Sequence, residues 1–143
     1  MLLSSCHYNT CREQNCNNGF CLDDECACLD GFEGSDCETE QRGAFLGQFR
    51  VTETCGTTDL TYAITVSDES DIPTEIVIKN IGNYGFDVVA VISGSSISID
   101  HDTGNGATVK GTGSFANEIL TLNYTLTTTA GQTLQCNLNG SFL

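Results

Sequence analysis

The chain has 143 residues, enough for one ordinary domain or two small ones. Its 19 acidic residues outnumber its 5 lysines and arginines, and the net charge of −14 argues against binding to nucleic acid or to an anionic membrane surface. No apolar run approaches the roughly 20 residues that a membrane-spanning helix needs. A hydrophobic content of 39% is sufficient for a packed core and too high for a disordered acidic tail.

The chain begins with a short segment, residues 1–10, that contains Leu3-Ser4-Ser5-Cys6. This tetrapeptide resembles a bacterial lipobox, in which an apolar residue and two small residues precede the cysteine that is lipidated. The resemblance implies that Cys6 carries a lipid anchor and that residues 1–10 are the remnant of a signal peptide followed by a linker. It further implies an exported protein attached to the outer membrane, at the cell surface or on the periplasmic face. An interchain disulfide and a free thiol are the alternatives for Cys6.

Nine cysteines are far above ordinary usage, and seven of them fall within the first 37 residues. This part of the chain has few large apolar side chains, so it requires cross-links or a metal to offset the entropy of folding. Zinc sites favour paired C-x2-C spacings or paired histidines, whereas the spacings here differ and His7 is the one nearby histidine. The sequence therefore predicts disulfides and an oxidising compartment.

Residues 11–37 contain two short motifs. The first is Cys16-Asn17-Asn18-Gly19-Phe20-Cys21, and the second runs from Cys26 to Cys37 as C-x-C-x2-G-F-x-G-x2-C. Both resemble an EGF-like domain, and the resemblance implies the pairs Cys11–Cys21, Cys16–Cys26 and Cys28–Cys37. Calcium-binding relatives carry Asp or Asn together with Glu just before the first cysteine, whereas Tyr8-Asn9-Thr10 stands there, so we expect no calcium. We expect a rigid stalk, and the alternative is a contact surface in its own right.

Residues 38–43 are polar and show no helix or strand pattern, so we place a linker there and a second domain at residues 44–143. In that domain, apolar and polar residues alternate with a period of two in about eight segments separated by Gly, Asn, Asp and Ser. The pattern predicts antiparallel strands with one buried face. The first segment alternates at Phe45, Gly47, Phe49 and Val51, and the last at Leu134, Cys136, Leu138, Gly140 and Phe142.

Eight strands fit either a sandwich or a barrel. With six cysteines assigned to the EGF-like segment, Cys55 and Cys136 remain as a natural pair and Cys6 is left over. Cys55 ends the first predicted strand and Cys136 lies in the last, and a disulfide requires their Cα atoms to lie within about 7 Å. The first and last strands are therefore neighbours, which predicts an all-β protein with an eight-stranded antiparallel up-and-down barrel.

The first strand, from Phe45-Leu46-Gly47 to Cys55, resembles the strand that opens the lipocalin-like β domain of small bacterial lipoproteins with an EGF-like stalk. The resemblance implies a lipocalin-like barrel. True lipocalins open with G-x-W, whereas this chain has Gly47-Gln48-Phe49. The domain is also short, and an eight-stranded barrel can be filled by its own side chains, so we do not expect a large cavity.

The chain lacks a nucleophile elbow, a P-loop and an H-E-x-x-H motif, and we predict neither catalytic residues nor a cofactor. The segment Asp100–Gly106 begins like a calcium loop, but it lacks glycine at the sixth position and glutamate at the twelfth. We interpret it as a solvated hairpin loop and predict no metal site.

Glu53 falls on the inward face of the first strand, where an unpaired carboxylate would be costly. It is the inward polar residue that we single out as a ligand contact. Aromatic residues on the inward faces of other strands complete the candidate set. They are Tyr62, Phe86, Tyr124 and Phe142.

The sequence favours a non-catalytic, lipid-anchored protein of the cell envelope, in which the EGF-like stalk presents the barrel for an interaction or a structural role. We expect a membrane contact through the anchor alone. The partner, a protein or a glycan, is not identified by the sequence. The alternative hypothesis is a carrier that binds a small apolar ligand in the barrel.

Overall fold

The structure is a computed structural model that describes residues 15–143. The predicted lipidation site Cys6, the predicted disulfide partner Cys11 and the predicted leader at residues 1–10 lie outside the described residues. Strands predominate in the described part, as predicted from the alternation. None of the helices within residues 15–143 is long and apolar enough to cross a membrane.

Eight strands form a closed antiparallel barrel in which each strand pairs with its neighbour in the chain. They are β5 (Gly47–Cys55), β6 (Thr58–Ser67), β7 (Glu75–Lys79), β8 (Asp87–Ser93), β9 (Ser96–Asp102), β10 (Thr108–Ala116), β11 (Ile119–Thr127) and β12 (Thr133–Phe142). The last strand, β12, pairs with the first, β5, from Cys136 opposite Cys55 to Phe142 opposite Phe49. This closure confirms the predicted barrel.

Alternation along each strand fills the interior of the barrel with apolar side chains. On β5, Phe49 and Val51 are fully buried, whereas Arg50 and Thr52, which alternate with them, are exposed. All eight strands contribute to one core, and its fully buried members include Ile64, Ile76, Ile78, Val88, Ile92, Ile97, Leu120, Leu122 and Leu138. The barrel is thus a packed unit with a side-chain core.

A glycine on β10 allows close contact with β11. A Cβ atom at Gly113 would lie 2.1 Å from the carbonyl oxygen of Thr121 and 2.5 Å from Cδ2 of Leu122. Any larger residue would therefore collide with backbone, in line with the tight strand coiling that an inward glycine permits.

The connections between the strands lie at the two ends of the barrel, which we call the upper and the lower end. The upper end comprises the connections after β5, β7, β9 and β11, at residues 56–57, 80–86, 103–107 and 128–132. The lower end comprises residues 68–74, 94–95 and 117–118, together with the start of β5 and the end of β12. Phe142 stacks on Phe49 at the lower end, with ring centroids 4.3 Å apart.

The described part of the N-terminal segment is cross-linked and contains two small sheets. The hairpin of β1 (Gly19–Leu22) and β2 (Glu25–Cys28) is followed by the short pair β3 (Phe32–Glu33) and β4 (Thr39–Glu40). Disulfides join Cys16 to Cys26 and Cys28 to Cys37, as the EGF-like resemblance implies. Cys21 is also disulfide-bonded, and Cys11, its implied partner, lies outside the described residues.

The segment predicted as a linker contains ordered structure. Strand β4 occupies Thr39–Glu40, and a 3-10 helix follows at Gln41–Phe45. Phe45 was predicted to begin the first barrel strand, but it ends this helix and the strand begins at Gly47. The sequence pattern did not show this structure because long-range contacts stabilise it, above all those of the buried Arg42.

Arg42 attaches this segment to the lower end of the barrel. Its Nη1 donates hydrogen bonds to the carbonyl oxygens of Ser70 at 2.8 Å, Ile72 at 3.2 Å and Glu75 at 3.0 Å. Its Nε forms an ion pair with Glu40 at 2.9 Å. A planar guanidinium can engage a carboxylate and several carbonyls at once, so one side chain fastens the N-terminal segment to the β6–β7 connection.

Candidate functional site

A buried carboxylate lies inside the barrel near its upper end. Glu53 is 3% exposed, and its Oε2 accepts hydrogen bonds from the hydroxyls of Tyr62, at 3.1 Å, and Tyr124. The structure thus brings together three of the five predicted contact residues. We call Glu53, Tyr62 and Tyr124 the carboxylate cluster.

The strand order explains why these residues meet. Glu53 projects inward from β5, Tyr62 from the adjacent β6, and Tyr124 from β11, which is separated from β5 by β12. The disulfide between Cys55 and Cys136 lies next to the cluster and links β5 to β12, with Cα atoms 4.2 Å apart. The cluster therefore lies at the seam where the barrel closes.

The carboxylate cluster is electrostatically unusual because it has no cationic member. The ion pairs within residues 15–143 involve Glu40, Glu69 and Asp100. Burial, reinforced by the neighbouring Glu53, raises the pKa of the hydroxyls of Tyr62 and Tyr124 well above the usual value for tyrosine. Both tyrosines therefore stay neutral and act as donors to the carboxylate at ordinary pH.

The carboxylate cluster is covered by residues 80–86, which we call the cap loop. The backbone N–H of Gly82 donates to the Tyr62 hydroxyl at 2.7 Å. A Cβ atom at Gly82 would lie 2.5 Å from the ring of Tyr84 and 3.4 Å from the hydroxyl of Tyr124. Because Gly82 also has φ +68°, only glycine fits well between the ring and the cluster.

The β7–β8 hairpin, which carries the cap loop, forms few backbone pairs with the strands on its two sides, β6 and β9. β6 and β7 form three residue pairs, from Thr65 opposite Lys79 to Ser67 opposite Val77, and β8 and β9 form four. Side chains bridge these seams. Asn80 Nδ2 donates to the carbonyl oxygen of Ala63 at 3.0 Å, and the N–H of Val89 donates to Nδ1 of His101 at 3.3 Å.

His101 was predicted to belong to a hairpin loop and was given no role. The structure extends β9 to Asp102, which places His101 beside β8. The missed signal is its inward parity with Ile97 and Ile99. The turn itself follows at residues 103–107, where Oδ1 of Asp102 accepts the N–H of Gly104 at 2.8 Å, so this carboxylate stabilises the turn.

A cleft of about 360 Å³ opens at the upper end beside the cap loop. Its walls are mainly aromatic, aliphatic and threonine side chains, and they include Tyr84, Phe86, Thr103, Leu126 and Thr129. The rings of Tyr84 and Phe86 are stacked, with centroids 5.8 Å apart. Phe86, the fourth predicted contact residue, therefore lines this cleft together with Tyr84.

Phe142, the fifth predicted contact residue, does not join this site. It lies at the lower end, 38% exposed, between Phe49 and Phe115. The reason is the direction of the strands, since the end of β12 lies beside the start of β5 whereas Glu53 is near the end of β5. Phe142 belongs to an aromatic cluster that closes the lower end of the barrel.

Glu53, Cys55 and Cys136 place one carboxylate and two sulfur atoms within 4.8 Å of one another. The sulfurs belong to the disulfide that closes the barrel, so neither is a free thiolate that could bind a metal. We accordingly interpret this group as a structural closure with an adjacent polar cluster.

Neither a protein-family model nor a curated protein matches the chain. The described residues define a closed eight-stranded antiparallel β-barrel preceded by a disulfide-rich segment. The likenesses to EGF-like domains and to lipocalin-like domains rest on the sequence motifs alone.

Proposed function

We propose that the protein is a non-catalytic, lipid-anchored envelope protein in which a cross-linked EGF-like stalk presents a lipocalin-like barrel. The anchor is assigned to Cys6 from the lipobox-like Leu3-Ser4-Ser5-Cys6. The proposal places the protein on the outer membrane with its barrel free to contact a protein or glycan partner.

The observation that carries this proposal is the attachment of the disulfide-rich segment to the lower end of the barrel. Arg42 binds three carbonyls of the β6–β7 connection and the adjacent strand, and Gly31 packs against Pro73 and Thr74. A chain tethered through its N-terminal segment then holds the upper end, with the cap loop, away from the tether. This geometry suits presentation of the upper end to a partner.

The packed interior supports a role in presentation over storage of a bulky ligand. Among the described residues, Arg42 and Glu53 are the buried charged side chains, and neither resembles an open catalytic group. Arg42 holds backbone carbonyls, and Glu53 is enclosed by tyrosines. We therefore assign a structural role to both Arg42 and Glu53 in this proposal.

Metabolic labelling in the native host tests the anchor. The gene is expressed with its own upstream sequence, as wild type and as Cys6→Ser, in cells fed an alkyne-tagged fatty acid. We expect label on the wild-type protein and none on Cys6→Ser, with both proteins folded. Label that persists on Cys6→Ser, or is absent from the wild type, would contradict lipid anchoring.

An epitope tag tests the orientation of the barrel. Inserted after Gly104 at the upper end, the tag is expected to be accessible to antibody in preference to a tag inserted after Asn117 at the lower end. Comparison of intact with permeabilised cells separates the cell surface from the periplasmic face. Equal accessibility of the two tags would contradict the proposed orientation.

A carrier for a small apolar ligand is the second candidate function, and the cleft beside the cap loop is the observation that favours it. Its volume of about 360 Å³ and its walls of Tyr84, Phe86 and Leu126 suit one compact apolar molecule. We expect a neutral naphthylamine dye to bind and Tyr84→Ala to weaken it. The matched control is Ile119→Ala, which removes an exposed apolar side chain from the lower end.

A further inference from the structure

We propose that the cleft at the upper end of the barrel binds a small organic cation, an ammonium group on an apolar body, with Tyr84 and Phe86 as the aromatic contacts and Glu53, buried beneath the cap loop, as the anion that attracts it. The inference rests on the carrier candidate, because it uses the same cleft, and it adds the chemical class of the ligand.

Among the described residues, Glu53 has no ion-pair partner. Its carboxylate is 3% exposed, and the ion pairs formed within the described residues all lie elsewhere. Removing a carboxylate from water costs several kcal/mol unless a cation or several donors compensate. The hydrogen bonds that Glu53 accepts come from two neutral hydroxyls, and both reach the same oxygen, Oε2. An ammonium ligand would supply the missing positive charge.

Aromatic side chains contact Glu53 and line the neighbouring cleft. Tyr62 and Tyr124 contact Glu53 directly, and the stacked rings of Tyr84 and Phe86 line the cleft. Aromatic faces attract cations through their quadrupole, and a ring combined with a buried anion discriminates a cation from a neutral molecule of the same shape.

Part of the cap loop lies between the cleft and the carboxylate. Tyr84 lines the cleft and its ring contacts Gly82, whose N–H donates to the Tyr62 hydroxyl above Glu53. One layer of the cap loop thus separates the two. The loop is held in place by the buried Ile81 and by the side-chain hydrogen bonds of Asn80, so a cation in the cleft is attracted to Glu53 across this layer.

The chain as a whole favours the same class of ligand. Its net charge of −14 attracts cations from solution and repels anions. The polar residues of the cleft are neutral, among them Thr103, Asn105 and Thr128, so no positive side chain there competes with the ligand for Glu53.

The test compares three probes of one shape, phenethylammonium, phenethyl alcohol and phenylacetate, by calorimetry and by amide shifts in NMR spectra. We expect the ammonium probe to bind at least about tenfold more tightly than the alcohol, and phenylacetate to bind weakest. We also expect a shift of the Gly82 amide, because the ring of Tyr84, which lines the cleft, packs against Gly82.

Two variants and one control locate the effect. Glu53→Gln should remove the tenfold preference for the cation, whereas Glu118→Gln, which removes one negative charge at the lower end, should leave it within about twofold. Should Glu53→Gln fail to fold, Tyr84→Ala, which alters a ring that is 55% exposed, should weaken the ammonium probe more than the alcohol.

The outcomes separate this inference from the carrier candidate. If the neutral dye and the alcohol bind as tightly as the ammonium probe, the carrier function stands and the cation site is wrong. If Glu118→Gln weakens the ammonium probe as much as Glu53→Gln or Tyr84→Ala does, the attraction comes from overall charge and the proposed site is likewise wrong. If none of the probes binds, both are wrong.

Discussion

The hydroxyl of Tyr124 on β11 donates a hydrogen bond to the carboxylate of Glu53 on β5, across the intervening strand β12. The two residues are 71 positions apart in the chain and become neighbours through closure of the barrel. The disulfide between Cys55 and Cys136 joins β5 to β12 at the same place. The disulfide and the hydrogen bond therefore both stabilise the place where β12 closes the barrel against β5.

Removal of the Tyr124 hydroxyl tests the contribution of the cluster to stability. Tyr124→Phe keeps the ring but deprives the buried carboxylate of a donor, so we expect the free energy of unfolding to fall by about 1–3 kcal/mol. Urea denaturation measures it. The control is Tyr84→Phe, which removes a hydroxyl from a ring that is 55% exposed and should change stability by less than about 0.5 kcal/mol. Equal effects of the two substitutions would contradict a structural role for the cluster.

The raised pKa values of Tyr62 and Tyr124 predict a loss of stability at alkaline pH. Folding favours the neutral hydroxyls, so their contribution is complete below the pKa of unfolded tyrosine, about 10, and declines as the pH rises beyond it. For the buried Tyr124 the decline is at most about 1.4 kcal/mol per pH unit.

Denaturation at a series of pH values from about 8 to 11 measures this slope, and tyrosinate absorbance follows the ionisation directly. Tyr124→Phe should show a shallower decline than the wild type, because one of the two groups is gone. A stability that is independent of pH across this range would exclude the proposed environment of both tyrosines.

The barrel strands could be predicted from the sequence because apolar and polar residues alternate with a period of two, and this alternation indicates which side of each strand faces the core. The same parity placed Glu53 inside, and the cysteines placed β5 beside β12. The contact between Glu53 and Tyr124 could not be predicted, since it depends on the curvature of the closed sheet. The position of Phe142, by contrast, follows from strand direction, which the choice of contact residues did not take into account.

The structure of residues 38–45 was not predictable because its stabilisation is long-range. Nothing in Gln41–Phe45 has helical periodicity, and the segment is held by Arg42 through carbonyls that lie 28 to 33 positions further along the chain. The contact between His101 and Val89 was missed for a similar reason. The contact forms because β8 and β9 separate near the upper end, and no local sequence pattern indicates this separation.

The disulfide at the seam predicts a specific loss when both cysteines are replaced. Cys55→Ala with Cys136→Ala opens a covalent loop with a sequence separation of 81, and the chain-entropy model gives a loss of roughly 4 kcal/mol. We expect the barrel to remain closed, because β5 and β12 still pair from Thr54 opposite Asn137 to Phe49 opposite Phe142. Urea denaturation measures the loss, and amide exchange in β5 checks the pairing. A double variant as stable as the wild type would show that the bridge contributes nothing to stability.

Arg42 predicts how firmly the disulfide-rich segment is attached to the barrel. Arg42→Lys retains the charge, but an ammonium lacks the planar fork that bonds Glu40 and three carbonyls together, so we expect a loss of about 1–3 kcal/mol. The matched control is Arg50→Lys on the exposed face of β5, for which we expect little change.

Hydrogen exchange locates the effect of Arg42→Lys. The amide of Gln41 donates to the carbonyl oxygen of Gly31 at 2.8 Å, and that of Glu75 donates to Ile72 at 2.9 Å, so both should exchange faster when the guanidinium is lost. Amides in the middle of β11 should keep their protection, because the barrel does not depend on this contact. If exchange at Gln41 and Glu75 matches that of Arg50→Lys, then Arg42 does not hold the two parts of the chain together, and the geometry behind the proposed presentation of the upper end is lost.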